Sequence, residues 1–121
     1  MLINSINETL KFNGDTGIVI GSGLDHIVNL LDNKQTLPYH KINSFPHSKV
    51  DGHKGEFISG KIGKEQVLLA RGRLHYYEGI ELEQVLLPIK VFHYLGVRNI
   101  IITNSSGSLR LKNSPGSIML I

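Results

Sequence analysis

Eight consecutive residues, Gly72–Gly79 (GRLHYYEG), concentrate the groups in this sequence that could recognise an anion and a sugar. The guanidinium of Arg73 can bind a phosphate or a carboxylate through two parallel N–H groups. His75 can donate a further hydrogen bond, and the carboxylate of Glu78 can orient its ring. The two tyrosines between them offer ring faces and hydroxyl groups that suit a sugar. The segment therefore predicts a binding loop, with an exposed polar connector as the alternative.

A turn of small residues, Gly21–Gly23 (GSG), is a second candidate for anion binding. Glycine lets backbone N–H groups approach an anion closely, and the N-terminus of a following helix adds a favourable dipole. The hydroxyl of Ser22 adds one more donor. An ordinary turn between a strand and a helix has the same local pattern, so both interpretations stay open. The sequence lacks a P-loop motif, and the turn lacks the third glycine of a dinucleotide fingerprint.

His53 is the third candidate, because it lies between Gly52 and Gly55 in a stretch with several turn-forming residues. A histidine that serves only the turn is an equally good interpretation of this local pattern. The other histidines do not stand at the spacing of metal ligands, and the chain contains no cysteine. We therefore expect no metal site, no disulfide and no thiol nucleophile.

Two short apolar runs, Thr16–Ile20 and Asn99–Thr103, must position these groups. Both are rich in β-branched residues, which predicts strands buried on both faces of a parallel sheet. Each run leads into a turn of small polar residues. Ligands in α/β folds bind outside the carboxyl ends of the strands, so both turns are expected at one edge of the sheet.

The remaining pattern completes an α/β layout. Glu56–Ile62 and Gln66–Arg71 flank Gly63 and predict a hairpin. Apolar positions from Leu82 to Phe92 predict a helix that Pro88 either begins or kinks. Further predictions are a short helix or docking arm over residues 1–15, a helical turn from Leu24 to Leu31, an irregular stretch over residues 32–52 and a strand that begins at Ile118.

Composition excludes several classes of protein. The chain has 121 residues, of which 40% are hydrophobic and 19% charged, so it suits one folded domain. The net charge is +3, but the lysines are scattered singly and no aromatic residues interleave with them, which disfavours a nucleic-acid-binding module. No apolar run approaches the roughly 18 residues of a membrane span, and no secretory signal is visible. A cytoplasmic protein that binds a small anion is the expectation.

Taken in order, six segments resemble the trimeric class of purine nucleoside phosphorylases, from about residue 15 to the end of the chain. The segment at Gly72–Gly79 is the most specific of them. The six segments are GSGL at 21–24, VDGHKG at 50–55, GRLHYYEG at 72–79, LPIKV at 87–91, TNSSG at 103–107 and PGSIML at 115–120. The resemblance implies an α/β fold with a mixed central sheet flanked by helices, and a homotrimer.

The resemblance also implies an activity, in which inorganic phosphate cleaves a purine nucleoside to the free base and ribose 1-phosphate, with no cofactor. It assigns two kinds of binding residue by position. The phosphate ligands would be Ser22, His53, Arg73, His75 and the backbone N–H of Ser105. The nucleoside contacts would be Tyr77, Asn104, Ser106 and Gly107. His75 and His53 are the candidates for a catalytic role.

The chain departs from the family pattern at several points. Asp25 stands where a small residue is usual, and we expect its side chain to point outwards on a helix and favour the helix dipole. Ser108 replaces a common glycine, so a methylthioadenosine or xanthosine phosphorylase is an alternative. The family's chains are longer, so we expect residues 1–121 to be the N-terminal part of a single phosphorylase domain that is truncated. A non-catalytic truncated remnant is the further alternative.

Overall fold

The computed structural model describes residues 2–46 and 55–121, and its centre is a five-stranded mixed sheet. The strands are β1 (Thr16–Ile20), β2 (Asp32–Pro38), β3 (Glu56–Ile62), β4 (Glu65–Arg71) and β5 (Asn99–Ile102). They lie side by side in the order β2-β3-β4-β1-β5. β1 runs parallel to β4 and to β5, whereas β3 is antiparallel to β2 and β4. The predicted mixed sheet and the predicted hairpin are confirmed.

The α-helices pack on one face of the sheet and a 3₁₀ helix packs on the other, while the edge strand β5 stays exposed. The α-helices are α1 (Leu2–Leu10), α2 (Leu82–Val85) and α3 (Leu87–Tyr94), and the 3₁₀ helices are Asp25–Leu30, Tyr39–Lys41 and Tyr76–Glu78. Alternate residues of β4 belong to two different buried clusters, because side chains along a strand point to opposite faces. Leu68 packs in one cluster with Ile6 and Phe92, while Leu69 packs in the other with Ile18 and Leu31.

The structure contains both helices that the apolar spacing predicted, one as an α-helix and one as a 3₁₀ helix. Pro88 lies in the first turn of α3, where its missing N–H costs no hydrogen bond, so it begins the helix rather than kinking it. The helix predicted from Leu24 to Leu31 is a six-residue 3₁₀ helix, Asp25–Leu30, and none of these six residues is fully buried. Leu24, Ile27 and Val28 nevertheless pack on the second cluster, as their spacing predicted. The N-terminal segment forms α1 and docks through Ile6 and Leu10.

The prediction of an irregular stretch over residues 32–52 was wrong at its start, because Asp32–Pro38 forms β2. This strand lies at the edge of the sheet, and only Leu37 of its seven residues is buried. Pairing with β3 through the backbone makes no demand on side-chain hydrophobicity, so the sequence DNKQTLP carries no strand pattern. Residues 47–54, which include the candidate His53, lie outside the described residues.

The prediction that the run at 99–103 is buried on both faces was also wrong. β5 is the other edge strand, and all four of its residues are exposed, including Ile102 at 65%. The predicted strand at Ile118 has no counterpart either, because residues 118–121 extend into solvent without a strand partner. Strand formation requires a neighbour to accept its backbone hydrogen bonds, and the described chain offers none there.

Candidate functional site

A cleft of about 570 Å³ opens at the edge of the sheet where three parallel strands end. The register pairs Ile20 with Arg71 and Val19 with Ile102, so β1, β4 and β5 all deliver the chain to this edge. The segments that follow these strands form the cleft wall, which confirms that the two predicted turns share one edge. The lining residues are Ile20, Gly21, Ser22, Gly23, Asp25, Arg71, Gly72, Arg73, His75, Asn104 and Ser105.

The turn after β1 is fastened to the segment after β5 by Thr103. The N–H of Gly21 donates to Thr103 Oγ1 at 2.8 Å, and that hydroxyl donates to the carbonyl of Val19 at 2.9 Å. A Cβ atom on Gly21 would lie 2.6 Å from the carbonyl oxygen of Thr103, so only glycine permits this approach. Thr103 was not among the predicted site residues, although a hydroxyl at the end of a strand was the available signal.

Replacing Thr103 with valine tests this fastening, because valine keeps the shape and removes the hydroxyl. We expect the free energy of unfolding to fall by about 1–3 kcal/mol, since the N–H of Gly21 loses its acceptor in a partly buried position. Urea unfolding of the purified chain measures this change. A Thr103→Ser variant, which keeps both hydrogen bonds, serves as the control, and equal loss in both variants would contradict the assignment.

Gly23 completes the turn with a φ of +83°, a conformation that residues with a side chain rarely adopt. Ser22, between the two glycines, is exposed and lines the cleft. Two glycines with different requirements, one for close approach and one for positive φ, therefore hold this serine at the mouth of the cleft. The GSG pattern is explained by this geometry rather than by flexibility.

Arg73 is held at the cleft by the residue that follows it. Leu74 is buried in the first core cluster, and both of its neighbours, Arg73 and His75, line the cleft. Within the described part of the chain, the Nε and Nη2 atoms of Arg73 are buried and have no hydrogen-bond partner. An unsatisfied buried donor costs roughly 1–3 kcal/mol, and more when the group is charged. An anion with two oxygen acceptors would satisfy both groups.

His75 is supported from outside the cleft by an aromatic contact. Its ring stacks on that of Tyr77, with centroids 4.8 Å apart and planes 18° from parallel. Tyr77 is 81% exposed and belongs to the short 3₁₀ helix Tyr76–Glu78. The backbone N–H of Glu78 donates to the carbonyl of His75 at 3.0 Å, which closes the turn of this loop. Tyr77 therefore lies beside the cleft, next to a ring that lines it.

Asp25 lies in the first turn of the 3₁₀ helix Asp25–Leu30, as expected, but the expectation that its side chain points away from the site was wrong. Its Oδ1 atom accepts from Arg71 Nε at 2.7 Å, and both residues line the cleft. Arg71 Nη1 also donates to Glu56 Oε1 at 2.9 Å. The side-chain hydrogen bond to Asp25, aided by that to Glu56, raises the pKa of Arg71. The register of β4 against β1 puts Arg71 beside the turn that carries Asp25, a pairing that sequence spacing alone cannot show.

The last predicted residues follow β5. Asn104 and Ser105 line the cleft, and Asn104 Nδ2 donates to the carbonyl of Ser105 at 3.3 Å. Ser106 and Gly107 come next and are exposed, with the hydroxyl of Ser106 donating to the carbonyl of Gly107 at 3.1 Å. The structure thus gathers Ser22, Arg73, His75, Asn104 and Ser105 around one space, although they are spread over more than eighty residues of sequence.

The charges and donors of the cleft suit an anion rather than a cation. The described lining residues include two arginines, a histidine, the hydroxyl of Ser22 and the small residues of two turns. Their only carboxylate is that of Asp25, which Arg71 already engages. In residues 2–46 and 55–121, no three histidine or carboxylate side chains come together to hold a metal ion. None of the described helices has the length and apolar character needed to cross a membrane.

Comparison with known proteins agrees with this geometry. Residues 15–121 match the phosphorylase superfamily. The chain is 34% identical over 116 residues to purine nucleoside phosphorylase 1 of Geobacillus stearothermophilus. That alignment covers 96% of this chain but 42% of the relative, so the chain spans about two-fifths of the relative's length.

Solved structures of similar sequence share the fold. Schistosoma mansoni purine nucleoside phosphorylase in complex with inosine matches with a TM-score of 0.83 and 34% identity, over 95% of this chain and 40% of that one. Isoform 2 from the same organism, in complex with cytosine and ribose 1-phosphate, matches with a TM-score of 0.83 and 36% identity, over 93% and 39%. Because its motifs, fold and sequence agree over residues 15–121 of its 121 residues, the chain belongs to the phosphorylase superfamily.

Proposed function

We propose that this chain carries the phosphate-binding and ribose-binding half of a site for the phosphorolysis of purine nucleosides. The observation that carries the proposal is that two buried nitrogen atoms of Arg73 have no partner among the described residues, in a cleft also lined by Ser22 and His75. The reaction would use inorganic phosphate as co-substrate and no cofactor. Relatives that bind inosine and ribose 1-phosphate support the choice of substrate class.

The proposed chemistry follows from the charges involved. A phosphate oxygen forms a bond to the anomeric carbon while the bond from that carbon to the purine nitrogen breaks, through a state with oxocarbenium character. Phosphate is a weak nucleophile, so the protein contributes position and charge balance. Arg73 would hold the phosphate by two N–H groups, with Ser22, His75 and the N–H of Ser105 as further donors.

The nucleoside would lie over the outer part of the cleft. Tyr77 would contact the ribose through its exposed ring, and Asn104, Ser106 and Gly107 would border the sugar and the base. His53 would complete the phosphate ligands from the segment outside the described residues, and with His75 would be a candidate for the catalytic role. The family resemblance supports these four contacts and this role for His53.

We extend the proposal to the oligomeric state, the metabolic role and the cellular location of the protein. The resemblance to the trimeric class supports a homotrimer that acts in purine salvage in the cytoplasm. The trimer is proposed for the complete protein, and sedimentation equilibrium of that protein tests it, with a mass of three subunits as the expected result and a monomer as the contrary one.

Ligand binding by the 121-residue chain tests the proposed half-site. We expect ribose 1-phosphate and inorganic phosphate to bind in isothermal titration calorimetry, and ribose without phosphate to bind far more weakly. The reason is that the phosphate supplies the charge-assisted hydrogen bonds to Arg73, each contributing about 1.5–3 kcal/mol. Equal affinity for ribose and ribose 1-phosphate would contradict the proposal.

The same chain is expected to show no turnover of inosine with phosphate. Asn104, Ser106 and Gly107 are all exposed, so the described cleft does not enclose a departing purine or stabilise its developing charge. An assay for released hypoxanthine measures this directly. Release at the rates of ordinary enzymes, about 1–10³ per second, would contradict the assignment of only half a site to this chain.

A further inference from the structure

The two arginines of the cleft differ in their bonding. Arg71 engages two carboxylates, Asp25 at 2.7 Å and Glu56 at 2.9 Å, through two of its three nitrogen atoms. Arg73 has two buried nitrogen atoms without a partner in the described chain. Glu56 lies outside the cleft lining, whereas Asp25 is part of it and its side chain is 59% exposed. Among the described residues, Arg71 is therefore committed to carboxylates of the protein, whereas two nitrogen atoms of Arg73 remain for a ligand.

Asp25 would oppose an anion in the cleft if its charge were not balanced. A carboxylate and a phosphate a few ångströms apart repel by an energy that depends strongly on local screening. Arg71 places its Nε–H directly on the carboxylate oxygen, and Glu56 holds the other end of the guanidinium at the end of β4. The carboxylate is thereby engaged by a cation of the protein.

We propose that Arg71 is a positioning residue whose role at this site is to neutralise Asp25, and that it is not itself a phosphate ligand. This inference rests on the proposed function, because it concerns the same phosphate site. It divides the two cleft arginines by role. Arg73 binds the anion, and Arg71 prevents a cleft carboxylate from excluding it. The alternative, in which Arg71 also binds phosphate directly, makes different predictions for paired substitutions.

A double-mutant cycle on Arg71 and Asp25 separates the two roles, with inorganic phosphate as the probe in isothermal titration calorimetry at fixed ionic strength. Arg71→Gln should weaken phosphate binding roughly tenfold, because it leaves an unbalanced charge near the anion. Asp25→Asn should bind phosphate at least as tightly as the unaltered chain. The double variant should return to within about twofold of the unaltered chain, since charge balance is restored.

Rescue in the double variant is the deciding result. If Arg71 were a phosphate ligand, the double variant would stay as weak as Arg71→Gln, and this would overturn the inference. Weaker binding by Asp25→Asn alone would also overturn it. No phosphate binding by the unaltered chain would overturn the proposed function and the inference together, so the two failures are distinguishable.

Two further variants protect the test from trivial explanations. Lys64→Gln removes the same charge in the exposed turn between β3 and β4, away from the cleft, and should leave phosphate affinity within about twofold because distant exposed charges are screened. Arg71→Lys keeps the charge if Arg71→Gln fails to fold. It should retain affinity within about twofold under the proposed role, whereas loss of a bidentate ligand would weaken binding further.

Discussion

An Arg73→Ala variant is expected to bind inorganic phosphate at least about tenfold more weakly than the unaltered chain, because it loses charge-assisted hydrogen bonds that contribute roughly 1.5–3 kcal/mol each. The two buried nitrogen atoms of Arg73 have no partner among the described residues, and the proposed phosphate would supply their acceptors. Isothermal titration calorimetry with phosphate measures the loss. Thermal unfolding of the same variant shows whether the fold is retained.

Ser22→Ala is the matched comparison for Arg73→Ala. It removes one neutral donor at an exposed position and leaves the glycine turn intact, so its effect on phosphate binding should be smaller. The prediction is that Arg73→Ala loses more phosphate affinity than Ser22→Ala. Weaker phosphate binding by Ser22→Ala than by Arg73→Ala would contradict the relative importance of the two residues. Normal phosphate affinity in Arg73→Ala would show that the arginine is not a phosphate ligand.

The second large effect is expected at Gly21, where even alanine should disrupt the cleft. An added Cβ would lie 2.6 Å from the carbonyl oxygen of Thr103 and 2.9 Å from the Cα of Asn104, and both atoms belong to the backbone. Relief requires the two turns to separate, which breaks the hydrogen bond from Gly21 to Thr103. We expect stability to fall by about 1–3 kcal/mol or more, as for overpacked sites, with phosphate binding lost.

Gly63→Ala is the control for this substitution. Gly63 has a φ of +62° and open space around its Cβ position, and it lies in the turn at the opposite end of β4. Its replacement should cost roughly 1–2 kcal/mol of stability from the backbone conformation alone, without a change in phosphate affinity. Urea unfolding and phosphate titration of both variants separate the two effects. Retained phosphate binding in Gly21→Ala would contradict the requirement for close approach between Gly21 and Thr103.

The sequence could predict those parts of the fold in which burial or backbone geometry restricts which residue types can occur. β1 is hydrophobic because it lies inside the sheet, and Gly21–Gly23 is glycine-rich because the turn requires close approach and positive φ. Parallel strands end at a common edge, so the clustering of the two turns follows from topology. The position of Arg73 and His75 beside the cleft could be predicted from this segment, because Leu74 between them is apolar and becomes buried.

The remaining features depend on contacts that local sequence does not encode. β2 is a polar edge strand held by backbone pairing, and β5 has the composition of a buried strand but lies exposed at the other edge. The ion pair of Asp25 with Arg71 joins residues 46 positions apart through the register of β1 and β4. A single sequence shows the charges, and only the fold shows that they meet.

Phosphate titration of the unaltered 121-residue chain, followed by the same titration of Arg73→Ala, tests the central claim most directly. The claim is that the cleft at the ends of β1, β4 and β5 is a phosphate site organised around Arg73. It predicts saturable binding of one phosphate per chain, and a loss of roughly tenfold or more in affinity in the variant. Absence of saturable binding, or equal affinity in both proteins, would contradict it.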